Sequence, residues 1–103
     1  MSSKYKTVLF ISIFLLVIIA CSPALYMPTL ADAQKTGVST DTLVFGRNLY
    51  VSKCGSCHSL YQPGRFTKKG WEKVMPEMQK KAKCNNQETS IIIQYLKARS
   101  KKD

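Results

Sequence analysis

Cys54-Gly55-Ser56-Cys57-His58 places two thiols three positions apart, with an imidazole directly after the second. Three chemistries use such a set. Thiolates and imidazole bind structural zinc, and Cys84 supplies a fourth ligand of the right type. A Cys-x-x-Cys pair also serves thiol redox exchange, typically in a βαβ setting. In c-type attachment the two thiols add to the vinyl groups of a haem, and the histidine ligates the iron from below. The spacing suits the last of these. Two thioethers must reach neighbouring corners of one flat ring, which a one-turn offset achieves. Gly55 and Ser56 are small, so the backbone can lie against the macrocycle. Adjacent Cys57 and His58 rarely point at one tetrahedral centre, and no βαβ pattern surrounds the pair. The expected cofactor is one covalent haem c with its iron, attached at Cys54 and Cys57 and ligated by His58.

A c-type haem usually takes a sixth ligand, commonly methionine. Met1 and Met27 fall in the N-terminal apolar region, which leaves Met75 and Met78. Trp71, Val74, Met75, Met78 and Ala82 share one face at helical spacing. Such a stripe is a core face, and here the core is the haem. Met78, two turns beyond Trp71 and past Pro76, is the expected ligand, with Met75 the alternative. Arg65, Lys68 and Trp71 are candidates to meet the haem propionates, which take cations or N–H donors. Cys84 is expected as a small buried hydrophobe.

The elements that must hold these residues begin late in the chain. Lys4 and Lys6 precede an uncharged run from Val8 to Leu30, almost wholly apolar as far as Ala20. Residues 1–33 are therefore expected to be a signal peptide, a lipoprotein signal or an N-terminal membrane anchor. Ile18-Ile19-Ala20-Cys21 resembles a lipobox, with Cys21 the candidate for lipidation, whereas Ala31-Asp32-Ala33 fits ordinary small-residue cleavage. Each route places the domain outside the cytoplasm, in the periplasm or on the outer face of a bacterial membrane. Residues 34–40 read as a linker, 41–99 as the domain and 100–103 as a basic tail. A domain of some seventy residues seldom stabilises itself without a disulfide, metal or cofactor.

Within it the spacing predicts a helix from near Asp41 capped by Ser39 or Thr40. A loop follows from Ser59 to Gly70 with a turn at Pro63-Gly64. A second helix is predicted from near Lys69 to Lys83, capped by Thr67, with Pro76 kinking it or forcing its start close to Met75. Asn85-x-x-Glu88 is a capping-box variant opening a third helix to about Arg99, with Ile91, Ile92, Tyr95 and Leu96 inward. The expected fold is all-α, three short helices and a long loop. Gly46 is out of place in a helix, where glycine costs about 1 kcal/mol relative to alanine, unless another helix crosses closely there.

From Gln34 onward the chain carries 14 Lys and Arg against 5 Asp and Glu. An exported chain rarely meets nucleic acid, so none is expected. Acidic redox partner proteins or anionic lipid fit the excess better, and a plain solvated basic surface fits it too.

Residues 41–99 resemble a small monohaem cytochrome c. The residues that carry the likeness are Gly46 and Tyr50 before Cys54-x-x-Cys57-His58, and Tyr95-Leu96 late in the last helix. Trp71-x6-Met78 is similar to a segment of short bacterial members in which the methionine ligates iron. The resemblance implies a cytochrome c-like fold in which the first and last helices cross at a glycine against an aromatic. It also implies single-electron transfer rather than catalysis. This chain departs from the larger family in its short His58-to-Met78 spacing and in lacking a Gly-Pro pair after the histidine; Pro63 is the candidate carbonyl for the His58 ring proton. A haem sensor or small haem enzyme with an open sixth site, or a cytochrome subunit of a dehydrogenase or reductase, are the alternative functions.

Overall fold

The computed structural model describes residues 2–20, 24–55 and 59–103, with the side chains of residues 3–13, 24–55 and 59–103. Five α-helices follow in chain order: α1 (Ser2–Ala20), α2 (Leu30–Thr36), α3 (Thr40–Cys54), α4 (Lys68–Ala82) and α5 (Asn86–Ala98), with a single 3-10 turn at Pro63–Arg65 before α4. Among the described residues there is no strand, only an isolated bridge between Thr67 and Lys101. The fold is all-α, as the sequence predicts.

Each predicted helix starts at a side chain able to take an orphan amide. The Thr42 N–H donates to the Ser39 hydroxyl at 3.1 Å, and the Gly70 N–H to that of Thr67 at 3.0 Å. Asn85 and Glu88 cap α5 reciprocally, at 2.8 and 3.0 Å. Pro76 lies inside α4 without setting its start. An interior proline costs about 3 kcal/mol, and the buried Trp71 and Met75 in the turn before it offset that cost.

The core lies where α3 and α5 cross. Tyr50, Trp71, Ile92, Tyr95 and Leu96 are fully buried and cluster with Cys54, Met75 and Cys84. At the crossing, a Cβ on Gly46 would stand 2.5 Å from the Ile91 carbonyl oxygen and 2.9 Å from Tyr95 Cβ. Only glycine lets these two backbones approach so closely, which explains its presence in the middle of α3.

The N-terminal side differs from the sequence reading. The presumed linker is helical as far as Thr36, and residues 24–36 pack on the domain as a strap. Thr29 and Asp32 form a capping box on α2, and Gly37 closes it in the left-handed conformation, φ 72°. Tyr95 Oη donates to the Tyr26 carbonyl at 2.6 Å, and Arg47 donates to the carbonyls of Tyr26 (3.1 Å) and Leu25 (3.2 Å). Gln62 grips the strap from the other side, donating to the Ala24 carbonyl at 2.8 Å and accepting from the Tyr26 N–H at 2.9 Å. Residues 24–36 were not legible as structure because they sit in and just after an apolar run that looks like a leader.

Asp32 is the strap's buried charge, 4% exposed. Its carboxylate accepts from Tyr26 Oη and from the Thr29 N–H at 2.9 Å, and pairs with Arg99 at 3.4 Å. Burial pushes its pKa up, but the Tyr26 and Thr29 hydrogen bonds and the Arg99 charge together outweigh burial and hold it below its ordinary 3.8. A carboxyl whose folded pKa is depressed stabilises the fold above its ordinary pKa and loses that contribution as pH falls through the folded value. Asp32→Asn is therefore expected to cost about 2 kcal/mol at neutral pH. The difference from wild type in thermal midpoint should close as the pH falls below 3.8.

Candidate haem site

Cys54 is the last residue of α3 and is 4% exposed. Cys57 and His58 lie outside the described residues, as does Cys21. The loop that resumes at Ser59 is returned to α3 by Tyr50, whose hydroxyl donates to the Tyr61 carbonyl at 2.9 Å. Residues on both sides of the motif are thus fixed to one turn of α3. Burial, followed by the nearby Cys54, pushes the Tyr50 hydroxyl up to about 12, so it stays a neutral donor across the physiological range. Burial raises the Tyr95 hydroxyl further still.

A cleft of about 350 Å³ opens between this loop and α4, lined by Tyr61, Phe66, Val74, Glu77, Met78 and Lys81. Its walls are largely apolar, and Tyr61 and Phe66 meet edge to face at 5.8 Å between centroids. The methionines separate here. Met75 is 2% exposed inside the core cluster, whereas Met78 is half-buried on the cleft wall. These residues fit a covalent haem. The cleft offers a flat macrocycle aromatic and aliphatic surface and a thioether sulfur, on a domain whose α3 ends in the first attachment cysteine. When bound, that group supplies an iron that takes up and releases one electron; the thiols of Cys54 and Cys57 would hold it, and His58 and Met78 are the axial candidates.

The propionate candidates sort differently. Arg65 sits over Tyr61 and Phe66, two rings that line the cleft, 5.6 and 5.9 Å from their centroids. Trp71 does not line the cleft: it is fully buried, and its indole N–H donates to the Pro63 carbonyl at 2.8 Å. Its donor is committed to shaping the loop, and it takes one of the two lone pairs of the Pro63 carbonyl. Lys68 opens onto another recess, together with Lys35 and Lys97. Cys84 is buried at the end of the core, and burial raises its thiol pKa, as expected of a packing residue.

An all-helical domain in which α3 ends at the first cysteine of the Cys54-x-x-Cys57-His58 sequence, and in which an apolar cleft carries a methionine, has the make-up of a c-type cytochrome. A family model, dihaem cytochrome c, matches residues 50–103, and the chain belongs to that family. It is a haem-binding cytochrome of electron transfer. No curated protein and no solved structure matched the chain. The family description carries two haems, where this sequence holds one C-x-x-C-H motif and a single histidine.

Proposed function

We propose that this chain carries single electrons on one haem, bound through Cys54 and Cys57 and ligated by His58 and Met78. The observation that carries the reading is the placement of Met78 on the cleft wall while Met75 is sealed in the core. Were His58 and Met78 both to hold the iron, they would keep substrates from it, and the group would supply one-electron transfer alone. A thioether ligand and apolar walls both favour the less charged ferrous form and so raise the potential. Lys81 lines the cleft, where it pairs with Glu77 at 3.0 Å, and Lys80 in α4 and Lys83 just past its end add to the basic charge of that stretch; together they would draw an acidic partner protein towards the haem edge, with rates that fall as salt rises. Carbon monoxide added to the reduced protein at neutral pH tests this reading. The spectrum is expected to stay unchanged; prompt binding would make the sixth site open and the protein a sensor or haem enzyme.

Export through processing at Cys21 belongs to the same proposal. Cleavage after Ala33 would cut α2 and discard Tyr26 and Asp32. Among the described residues no helix is long and apolar enough to cross a membrane. Since residues 24–30 are engaged on the domain, an uncharged stretch of only 8–23 remains, short of the ~20 residues a span needs. A lipidated Cys21 leaves the strap whole and puts the domain on the outer face of a bacterial membrane. A chain begun at Gln34 loses the hydrogen bonds that Tyr95 and Arg47 donate to the strap, together with the Asp32 pairing, and is expected to lose about 3 kcal/mol against one begun at Cys21. Equal denaturant midpoints for the two would return the strap to the role of a removable leader.

A further inference from the structure

One charged surface takes no part in the haem site. Lys35 at the end of α2, Lys68 at the start of α4 and Lys97 near the end of α5 share a recess of about 390 Å³. An adjoining recess of about 220 Å³ adds Lys101 and Lys102 of the tail to the same three. The tail is held there, its Lys101 N–H donating to the Phe66 carbonyl at 2.9 Å. Two carboxylates lie near this cluster: Glu72 pairs with Lys97, and Asp103 lines the second recess. The first turn of α4 carries Lys68 and Lys69 and no acidic residue, so the positive end of a 15-residue helix faces cations. That arrangement works against the helix dipole. Five lysines from four parts of the chain, gathered at a helix end that itself favours anions, form a surface whose positive charge Glu72 and Asp103 offset only in part.

The strap indicates what covers it. The 62–66 segment that holds Lys101 through the Phe66 carbonyl also holds Ala24 through Gln62. The point at which the chain leaves towards Cys21 and the basic surface are thus attached to one short segment. Three peptide units separate Cys21 from Ala24, a reach of at most roughly 11 Å, comparable with the Debye length of ~8–10 Å at physiological salt. The Cys54 end of α3 lies at the opposite end of α5, where Lys53 pairs with Glu88 at 3.6 Å.

We propose that Lys35, Lys68, Lys97, Lys101 and Lys102 form a membrane-facing surface that rests on anionic lipid headgroups and turns the haem-bearing end outward. This rests on the anchoring at Cys21 proposed above. The surface fixes the orientation of a tethered domain, leaving Lys80, Lys81 and Lys83 free for the redox partner.

The test is amine acylation of the mature holoprotein on vesicles of phosphatidylcholine alone and of phosphatidylcholine mixed with phosphatidylglycerol, with labelling read by peptide mass spectrometry. The five lysines are expected to label about fivefold more slowly on the anionic vesicles, with the protection lost in high salt and Lys80, Lys81 and Lys83 unchanged. Equal labelling on the two vesicles would overturn the proposal, as would protection that appears only when a soluble acidic protein is added. Failure of the anchoring itself is visible separately, as protein that does not float with vesicles of either composition.

Discussion

Met78→Ala is expected to abolish the near-infrared band that a methionine sulfur gives ferric haem iron, to lower the reduction potential and to open the sixth site to carbon monoxide. Met75→Ala is expected to leave all three readouts in place. The two residues are one turn apart on α4 and differ in what surrounds them. Met75 is 2% exposed in the cluster of Tyr50, Cys54, Trp71, Ile92 and Tyr95, so truncating it leaves a cavity and costs about 3 kcal/mol. Met78 borders the open cleft with Tyr61, Phe66 and Val74, and its truncation removes far less packed surface. The pair of variants therefore separates ligation from stability. One should lose the spectrum and keep most of the fold, the other the reverse. The opposite pattern would transfer the iron to Met75.

Gly46→Ala is the substitution with the largest expected effect on folding. Alanine in a helix gains about 1 kcal/mol over glycine, so at an open position the change would stabilise. Here the added methyl meets a backbone oxygen at 2.5 Å and a Cβ at 2.9 Å, and neither can rotate away. The α3–α5 crossing must widen, loosening Tyr50, Tyr95 and Ile92 together. We expect a net loss of about 3 kcal/mol by chemical denaturation, and failure to mature in a domain this small. Gly64→Ala is the control: its Cβ meets only the Arg99 carbonyl, at the ordinary contact distance of 3.6 Å, and the midpoint should hardly move. Equal effects of the two would mean that the crossing is looser than described.

What was legible in the sequence follows from how local each signal is. The starts of α3, α4 and α5 could be read because Ser39, Thr67 and Asn85 sit directly before their helices. A close crossing at Gly46 could be read because glycine in mid-helix needs a reason, and the resemblance to cytochromes c pointed to the last helix and Tyr95 as its partner. The strap could not be read in this way. Its hydrogen bonds run to Gln62, Arg47 and Tyr95, distant in sequence, and its apolar neighbours mimic a leader. The Thr29-x-x-Asp32 capping box was the one local sign, and it lay inside a stretch already set aside. The partner of the Trp71 indole was not legible either. Whether its N–H faces a propionate or the Pro63 carbonyl depends on the path of the 59–67 loop, which no spacing rule gives. The basic surface stayed hidden because Lys35, Lys68 and Lys101 meet only after folding.

The chain is proposed to carry a single haem through two thioether bonds, although its family is described by two. Mass spectrometry of unfolded protein, matured with a haem-attachment system, measures this directly. The account predicts an added mass of one haem that survives denaturation and is lost in a Cys54→Ala, Cys57→Ala double variant, together with Soret absorbance in the folded protein. Two haem masses on one chain, or matured protein without colour or added mass, would contradict it.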